Sequence, residues 1–160
     1  MLYLTVLFFF CILNCKNQDH TNSKDTLLNL NNTQNMNHMK SFISIFEIPA
    51  TNISRAIKFY QAILNIQIEK VKFPEMQLGV FPYKDQMITG VIMKAEGYIP
   101  SAKGVTIYLN GGDNLQTILD KVSQNGGKIM VPKSLHADES GYYAIFLDSE
   151  GNKMGLHSPH

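Results

Sequence analysis

The chain has 160 residues, of which 44% are hydrophobic and 17% charged, a balance typical of one globular domain and not of a fibrous or wholly disordered protein. Its 14 basic and 13 acidic residues leave a formal net charge of +1, and because no block of Lys or Arg is present to follow phosphates, nucleic acid is excluded as a partner. Both cysteines, Cys11 and Cys15, lie near the N-terminus, so the remainder depends on packing, without disulfides or thiolate zinc sites.

The first segment, residues 1–15, is an apolar run too short for a transmembrane helix of about 20 residues, and it is predicted to be a signal segment. The residues before Cys15 are similar to a bacterial lipoprotein cleavage box, so Cys15 is the predicted lipidation site. Processing there would place the protein in the bacterial envelope, with a lipid anchor as its only link to the membrane. The alternative is that translation begins at Met36 or Met39, which predicts a cytoplasmic protein.

Residues 16–39 form a polar stretch rich in Asn, Gln, Asp, Ser and Thr. Such a composition buries too little apolar surface to fold alone, so a disordered tether is predicted. Regular hydrophobic patterning begins only after this stretch, which places the folded domain at residues 40–160.

The first half of this domain has the pattern of a strand, a helix and three more strands. Residues 42–49 are rich in strand-forming side chains, and apolar residues then recur at helical spacing from Ile53 to Leu64. Asn52 is placed to cap this helix, and Asn65 is placed to end it in a left-handed turn. Turn residues separate three further strand-like segments, at 66–72, 77–81 and 87–94.

The second half repeats this order of elements. A strand at 105–109 precedes Leu115, Leu119 and Val122, which copy the spacing of apolar residues in the first helix. Asp113 or Asn114 is the predicted cap of the second helix, and Gly126-Gly127 is its predicted end. Three strands follow, at 128–132, 142–147 and 153–157, the last two joined by a tight turn at 148–152.

Two such βαβββ repeats predict an α+β fold. A ferredoxin-like sandwich also repeats a strand and helix unit, and it is the main alternative for this pattern. The third strand that follows each helix argues against that alternative, because the ferredoxin-like unit has no place for it. The paired βαβββ architecture is therefore the predicted fold.

Three motifs carry a resemblance to a known family: residues 48–60, with a helix whose sequence includes Phe-Tyr, residues 124–127, and residues 146–152, with a closing Asp-x-Glu-Gly-Asn turn. In combination they resemble the vicinal-oxygen-chelate superfamily over about residues 40–159. That superfamily includes glyoxalase I, extradiol dioxygenases, fosfomycin-resistance proteins and bleomycin-binding proteins. The resemblance implies the glyoxalase/bleomycin-resistance fold, in which two mixed sheets curl into a cup, and enzymes of the family hold a divalent metal there with His and Glu.

The positions that this resemblance assigns to metal ligands carry no suitable side chain. A metal of this class needs three or more His or carboxylate ligands. We therefore expect no metal or other cofactor, and none of the family's metal-dependent reactions. The alternative is a divalent metal held by other residues. The assigned positions are Ile45, then Thr106 or Ile107, and Gly155, while the strand of the fourth ligand offers only Thr89 and Lys94 as polar groups.

Strand alternation predicts which side chains face the cup, because residues two apart in a strand share a face. Glu47 shares the face of Ile45, and His157 shares the face of Gly155. The opposite, helix-packing side of the second repeat is predicted to hold Val105, Ile107, Leu109, Met154 and Leu156. The predicted ligand-binding residues are Glu47, Thr106, Tyr108, Asn110 and His157.

Convergent polar groups in a concave, otherwise apolar setting predict a small-molecule site. The leading hypothesis is a metal-independent small-molecule-binding protein that works as a homodimer. One alternative is a glyoxalase-like lyase or isomerase in which Glu47 and His157 act as general base and acid. Another is a structural or interaction module of the envelope. A further candidate is His136, expected in a loop at the mouth of the cup with Asp138 and Glu139.

Overall fold

The structure is a computed structural model that describes residues 41–160. The predicted signal segment, the lipidation site Cys15, the tether and the start sites Met36 and Met39 lie outside the described residues. Within the part of the chain that the structure describes, no helix has both the length and the apolar character needed to cross a membrane.

The first half folds into one sheet with one long helix. Its sheet has the strand order β1-β4-β3-β2, in which β1 and β4 are parallel and the other pairs antiparallel. The predicted helix ends are confirmed: Asn52 Oδ1 accepts a hydrogen bond from the Arg55 N–H at 3.1 Å, and Asn65 has a φ of 55°. The elements are β1 (Ile45–Pro49), α1 (Ile53–Leu64), β2 (Glu69–Lys72), β3 (Gln77–Val80) and β4 (Thr89–Lys94).

The second half has the same arrangement. Its sheet has the order β5-β8-β7-β6, again with the first pair parallel and the others antiparallel. Gly126 ends the helical segment with a φ of 90°, as predicted. The elements are β5 (Ile107–Asn110), α2 (Gln116–Val122), a 3-10 turn (Ser123–Asn125), β6 (Lys128–Leu135), β7 (Tyr142–Leu147) and β8 (Lys153–Ser158). This repeated order confirms the predicted α+β fold of two βαβββ units.

Four predicted strand starts are wrong by two or three residues, because each strand begins only where pairing with a neighbouring strand begins. The observed starts are Ile45, Glu69, Thr89 and Ile107. Pairing of β1 with β4 begins at Ile45, so Phe42 before it is fully exposed. Pairing of β5 with β8 begins at Ile107. Val105 was expected to pack against a helix, yet it lies before β5 and is 91% exposed.

The start of α2 also differs from the prediction. The residue that caps the helix is Leu115, which makes no side-chain cap, and not Asp113 or Asn114. Asn114 Oδ1 still accepts a hydrogen bond from the Gln116 N–H at 3.1 Å. Asn114, one residue before the cap, thus satisfies an N–H group of the first turn that has no partner within the helix. The Leu115 side chain is fully buried.

Strand β6 is an edge strand that extends beyond the predicted 128–132 to Leu135. Its pairing with β7 shifts register between Ile129 and Val131 and again between Val131 and Ser134. Pro132 lies in the second of these irregular stretches, where its lack of an N–H costs no ladder hydrogen bond.

One buried cluster joins both halves. It includes residues of α1, α2 and the helix-facing side of both sheets, and the ring of Phe59 in α1 lies 6.1 Å from the ring of Phe146 in β7. Leu109, Met154 and Leu156 are buried in it, which confirms the predicted helix-packing side at these three positions. The opposite face of each sheet lies outside this core.

The turn between β7 and β8 fastens the second half to the start of α1. The Glu150 carboxylate accepts hydrogen bonds from the N–H groups of Thr51 and Asn52, both at 2.9 Å, and from Arg55 Nε at 2.6 Å. Burial acts to raise the pKa of Glu150, but the hydrogen bonds from Arg55, Asn52 and Thr51 outweigh burial and lower that pKa. The carboxylate therefore stabilises the fold in its charged form.

A buried network beside this contact holds the same turn to α1. Tyr60 Oη donates to Asp148 Oδ2 at 2.7 Å, and Asp148 Oδ1 accepts from the N–H groups of Glu150 at 2.8 Å and Asn152 at 2.9 Å. Asn152 Nδ2 also donates to the carbonyl of Pro49 at 2.8 Å. Burial first, and then the charge of Asp148, raise the pKa of Tyr60 well above its ordinary value. The phenol is therefore a permanent donor to Asp148.

Candidate functional site

The open face of the second sheet carries a row of aromatic and polar side chains. The register pairs Tyr108 with Gly155 and Tyr143 with His157. Leu156, between Gly155 and His157, is fully buried in the core. Since neighbours along a strand point to opposite faces, these pairs project on the side away from the helices.

Gly155 allows the ring of Tyr108 to lie against β8. A Cβ atom at Gly155 would lie only 2.5 Å from Cδ1 of Tyr108, much closer than van der Waals contact. Tyr108 is nevertheless 47% exposed, because the other side of its ring faces outward. The space where a side chain at position 155 would begin is therefore filled by an aromatic ring.

Two imidazoles and a second phenol lie on the same face of the sheet as Tyr108. The ring of His136 lies 4.7 Å from the ring of Tyr143 and 5.4 Å from the ring of His157. We call Tyr108, Tyr143, His136 and His157 the ring cluster. The sequence placed His136 at the mouth of the cup and missed Tyr143. Alternation with the core residues Ala144 and Phe146 assigns Tyr143 to the open face.

The polar atoms of the ring cluster are available to a ligand. None of its four side chains makes a hydrogen bond to another residue in 41–160. The neighbouring Asn110, which pairs with His157, uses its Oδ1 to accept a hydrogen bond from the Gly112 N–H at 2.9 Å, and its amide nitrogen remains free among the same residues. The predicted residues Tyr108, Asn110 and His157 thus come together on one surface.

The remaining predicted site residues are Glu47 and Thr106, and within residues 41–160 neither makes a hydrogen bond or ion pair with the ring cluster. Glu47 is exposed on β1 and accepts a hydrogen bond from Tyr98 Oη at 2.7 Å. Within the described residues no hydrogen bond or ion pair joins Glu47 to His157. Thr106 is half-buried and directly precedes β5. The predicted acid and base, Glu47 and His157, are therefore not in direct contact.

The open face of the first sheet is apolar. Its side chains form a second buried cluster, with Tyr98 and Met76 packed against its edge. The two open faces therefore differ in chemistry, one aliphatic and the other aromatic with free polar groups. The buried members of this cluster are Leu78, Val80, Val91 and Met93.

The residues present do not fit the metal of the family. Ile45 offers only an alkyl group, its partner across the sheet is Thr89, and Gly155 is covered by the ring of Tyr108. Among residues 41–160, no group of three or more His, Cys, Asp or Glu side chains is placed to hold a metal ion. A ligand set of the kind that zinc or iron requires is thus missing from this face.

A separate cavity of about 190 Å³ lies near β1, the start of β5 and the start of β8. We call it the seam cavity, because it adjoins both halves of the domain. One wall is the connector between β4 and β5, including Ile99, Ser101 and Lys103. Its other lining residues are Glu47, Ile48, Pro49, Val105, Ile107, Asn152, Lys153 and Met154.

Comparison with known proteins agrees with this geometry. Residues 36–156 match the family model described as the Glyoxalase/Bleomycin resistance protein/Dioxygenase superfamily. A glyoxylase-like domain-containing protein of Didymella fabae is 31% identical over 119 residues, which cover 71% of this chain and 91% of that protein.

Solved structures share the fold at low sequence identity. The antibiotic binding protein TnmS3 from a Streptomyces species has a TM-score of 0.57 at 18% identity, covering 75% of this chain and 97% of its own. A glyoxalase/bleomycin resistance protein from Albidiferax ferrireducens has a TM-score of 0.58 at 19% identity, covering 74% and 98%. A mutant glyoxalase I of Zea mays has a TM-score of 0.57 at 18% identity over 72% of this chain, which spans only 45% of the maize protein. On the family match and the shared fold, this chain belongs to the glyoxalase, bleomycin resistance protein and dioxygenase superfamily.

Proposed function

We propose that this protein binds a small molecule on the open face of the second sheet, without the help of a metal. The observation that carries the proposal is the ring cluster, in which four rings share one face and their polar atoms make no hydrogen bond to another residue in 41–160. Rings of this kind give a ligand a large contact area at a low cost in conformational entropy. The likeness to an antibiotic binding protein supports this type of function.

The arrangement of the cluster favours a flat aromatic ligand with hydrogen-bonding groups at its edge. Tyr108, laid against Gly155, offers one ring face for stacking, and offset stacking adds about 0.5–1.5 kcal/mol per ring pair. The imidazole of His157 and the amide of Asn110 would then bind polar atoms of the ligand. Glu47 and Thr106 are proposed to contact the far end of a larger ligand.

The metal-independent part of the proposal rests on the side chains that replace the family's ligands. A cation at the family's metal position would give up water ligands and meet the alkyl group of Ile45 and the ring that covers Gly155. Neither group offers a lone pair to the ion. Metal analysis of the purified protein tests this directly. We expect substoichiometric zinc, nickel, iron and manganese, and one equivalent of any of them would contradict this part of the proposal.

A ligand screen tests the binding function. Flat two- and three-ring aromatic compounds, each paired with its saturated analogue, are compared by their effect on the melting temperature. At a concentration 100 times the dissociation constant, binding adds about 2.7 kcal/mol, or roughly 10 °C in a domain of this size. We expect aromatic compounds to raise the melting temperature more than their saturated analogues do.

Two variants make this screen specific. Tyr108→Ala should abolish the ligand-induced shift, whereas Tyr83→Ala should leave it intact, because Tyr83 is 63% exposed and lies outside the ring cluster. An equal response of both variants would mean that the ligand does not lie on this face.

A homodimer is part of the same proposal. Phe42, Ile43 and Ile45, at or just before the start of the first strand, are all exposed, and a second copy that covers them would remove this apolar surface from water. Sedimentation equilibrium of the wild type and of Ile45→Lys tests this. A wild type that stays monomeric at the highest concentrations would rule out the dimer.

The lipid anchor is proposed on the sequence around Cys15. Expression in a bacterium fed a labelled fatty acid should transfer the label to the protein, and Cys15→Ser should not be labelled. A cytoplasmic, unlabelled wild-type protein would instead favour a start at Met36 or Met39.

Acid–base catalysis is a second candidate function. The observation that favours it is the imidazole of His157, which is exposed and has no hydrogen-bond partner among the described residues. The enzyme would be a lyase or isomerase whose turnover resists chelators. Its signature would be that His157→Ala lowers turnover by a much larger factor than it lowers ligand affinity.

A further inference from the structure

We infer that the seam cavity is a second binding site, separate from the ring cluster, for a small monocarboxylate with a short aliphatic chain. The inference does not rest on the function proposed above, because the cavity shares only Glu47 with the proposed site and its lining includes no residue of the ring cluster. Three features of the cavity carry it, namely its preformed wall and floor, its charge and its size.

The floor and one wall of the cavity are held in place by the fold. Ile48 and Met154 are only 1% and 3% exposed, so they form a fixed aliphatic floor. Ser101 in the connector wall is anchored twice, since its N–H donates to Asn152 Oδ1 at 3.1 Å and its carbonyl accepts from the Lys153 N–H at 3.3 Å. A ligand would therefore enter a space that already exists, with little ordering cost.

The charged groups of the cavity favour a single negative charge. Lys103 and Lys153 line the cavity together with one carboxylate, that of Glu47. Glu47 already accepts a hydrogen bond from Tyr98 Oη at 2.7 Å, whereas neither lysine ammonium pairs with another residue in 41–160. The charges sum to +1, which a monocarboxylate neutralises. A phosphate dianion would leave an excess negative charge against Glu47.

The size of the cavity matches a short chain. A volume of 190 Å³ corresponds to about six water molecules at roughly 30 Å³ each, or to a carboxylate of about four to six carbons. Ile99 and Val105 on the lining are 77% and 91% exposed. An alkyl chain would cover this apolar surface, which the protein alone leaves in water.

Titration of the full-length protein with sodium pentanoate, followed by amide chemical shifts, tests the inference. Pentanamide has the same shape without the charge, and propyl phosphate carries the alternative anion. We expect pentanoate to bind at least tenfold more tightly than either compound, with the largest shifts at the amides of Ser101, Ile107 and Lys153. Equal binding of pentanoate and pentanamide would overturn the inference.

Charge-removing variants locate the site. Lys103→Gln and Lys153→Gln should each weaken pentanoate binding at least fivefold, while the matched control Lys128→Gln, an exposed lysine outside the cavity, should bind like wild type. Unchanged binding in both cavity variants would refute the site. Tyr108→Ala should also bind pentanoate normally, so failure at the ring cluster and failure at the seam cavity are told apart.

Discussion

Removal of the Glu150 carboxylate should loosen the contact between the two halves. Glu150 accepts hydrogen bonds from two backbone N–H groups, from the Thr51 hydroxyl at 2.8 Å and from Arg55 Nε at 2.6 Å. Its side chain is 0% exposed, but that of Arg55 is 53% exposed, so solvent screens the ion pair and reduces its contribution. Loss of the acceptor for the two backbone N–H groups at the start of α1 therefore costs more free energy than loss of the ion pair.

We expect Glu150→Ala to lower the free energy of unfolding by about 1.5–3 kcal/mol, the range for hydrogen bonds to a charged group. Glu150→Gln keeps one acceptor oxygen and should cost about half as much. Urea unfolding at pH 7 measures both changes, with Glu69→Gln, at an exposed position of β2, as the matched control. A loss below about 0.5 kcal/mol for Glu150→Ala would refute this account of how the halves are joined.

The same carboxylate sets a pH dependence. Because the folded state lowers the pKa of Glu150 below its ordinary value of 4.5, its contribution is fully present above the unfolded pKa. The contribution is lost as the pH falls through the folded pKa. The stability difference between wild type and Glu150→Ala should therefore be constant near neutral pH and shrink below pH 4.5. A stability difference that grows as the pH falls would contradict the lowered pKa of Glu150.

Three further variants test other contacts. Tyr60→Phe removes the donor to the buried Asp148 and should cost about 1–3 kcal/mol in urea unfolding, whereas no measurable loss would mean that water replaces the phenol. Asn65→Ala places a residue without a short polar side chain at a φ of 55° and should cost about 1 kcal/mol, and an unchanged midpoint would contradict the assigned helix end. Gly155→Ala puts a Cβ 2.5 Å from the Tyr108 ring, so it should displace that ring and weaken aromatic ligands by about tenfold, or roughly 1.4 kcal/mol. Undiminished ligand binding by the folded variant would show that the position of this ring is unimportant.

The order of elements could be predicted from the sequence because it depends on local patterns. Helical spacing in α1, its cap Asn52 and its left-handed end at Asn65 all follow from neighbouring residues. Strand starts could not be predicted as well, because a strand begins where a partner strand is available. Phe42 and Val105 have strand-forming side chains but no partner on the adjacent strand.

The candidate site was predicted in part for the same reason. Alternation along β5 and β8 was enough to bring Tyr108, Asn110 and His157 to one face. The approach of His136 to Tyr143 and His157 depends on the register of β7 and on the path of the segment after β6. Neither is contained in a local pattern, so the ring cluster became visible only in three dimensions.

The irregular edge of the second sheet has a consequence for how copies of the protein associate. An exposed edge strand offers unpaired N–H and carbonyl groups to any other chain, which invites uncontrolled growth of the sheet. In β6, Pro132 removes one N–H, and the two register shifts near it break the regular spacing of the others. Continuation of the ladder by a second molecule is therefore disfavoured along β6.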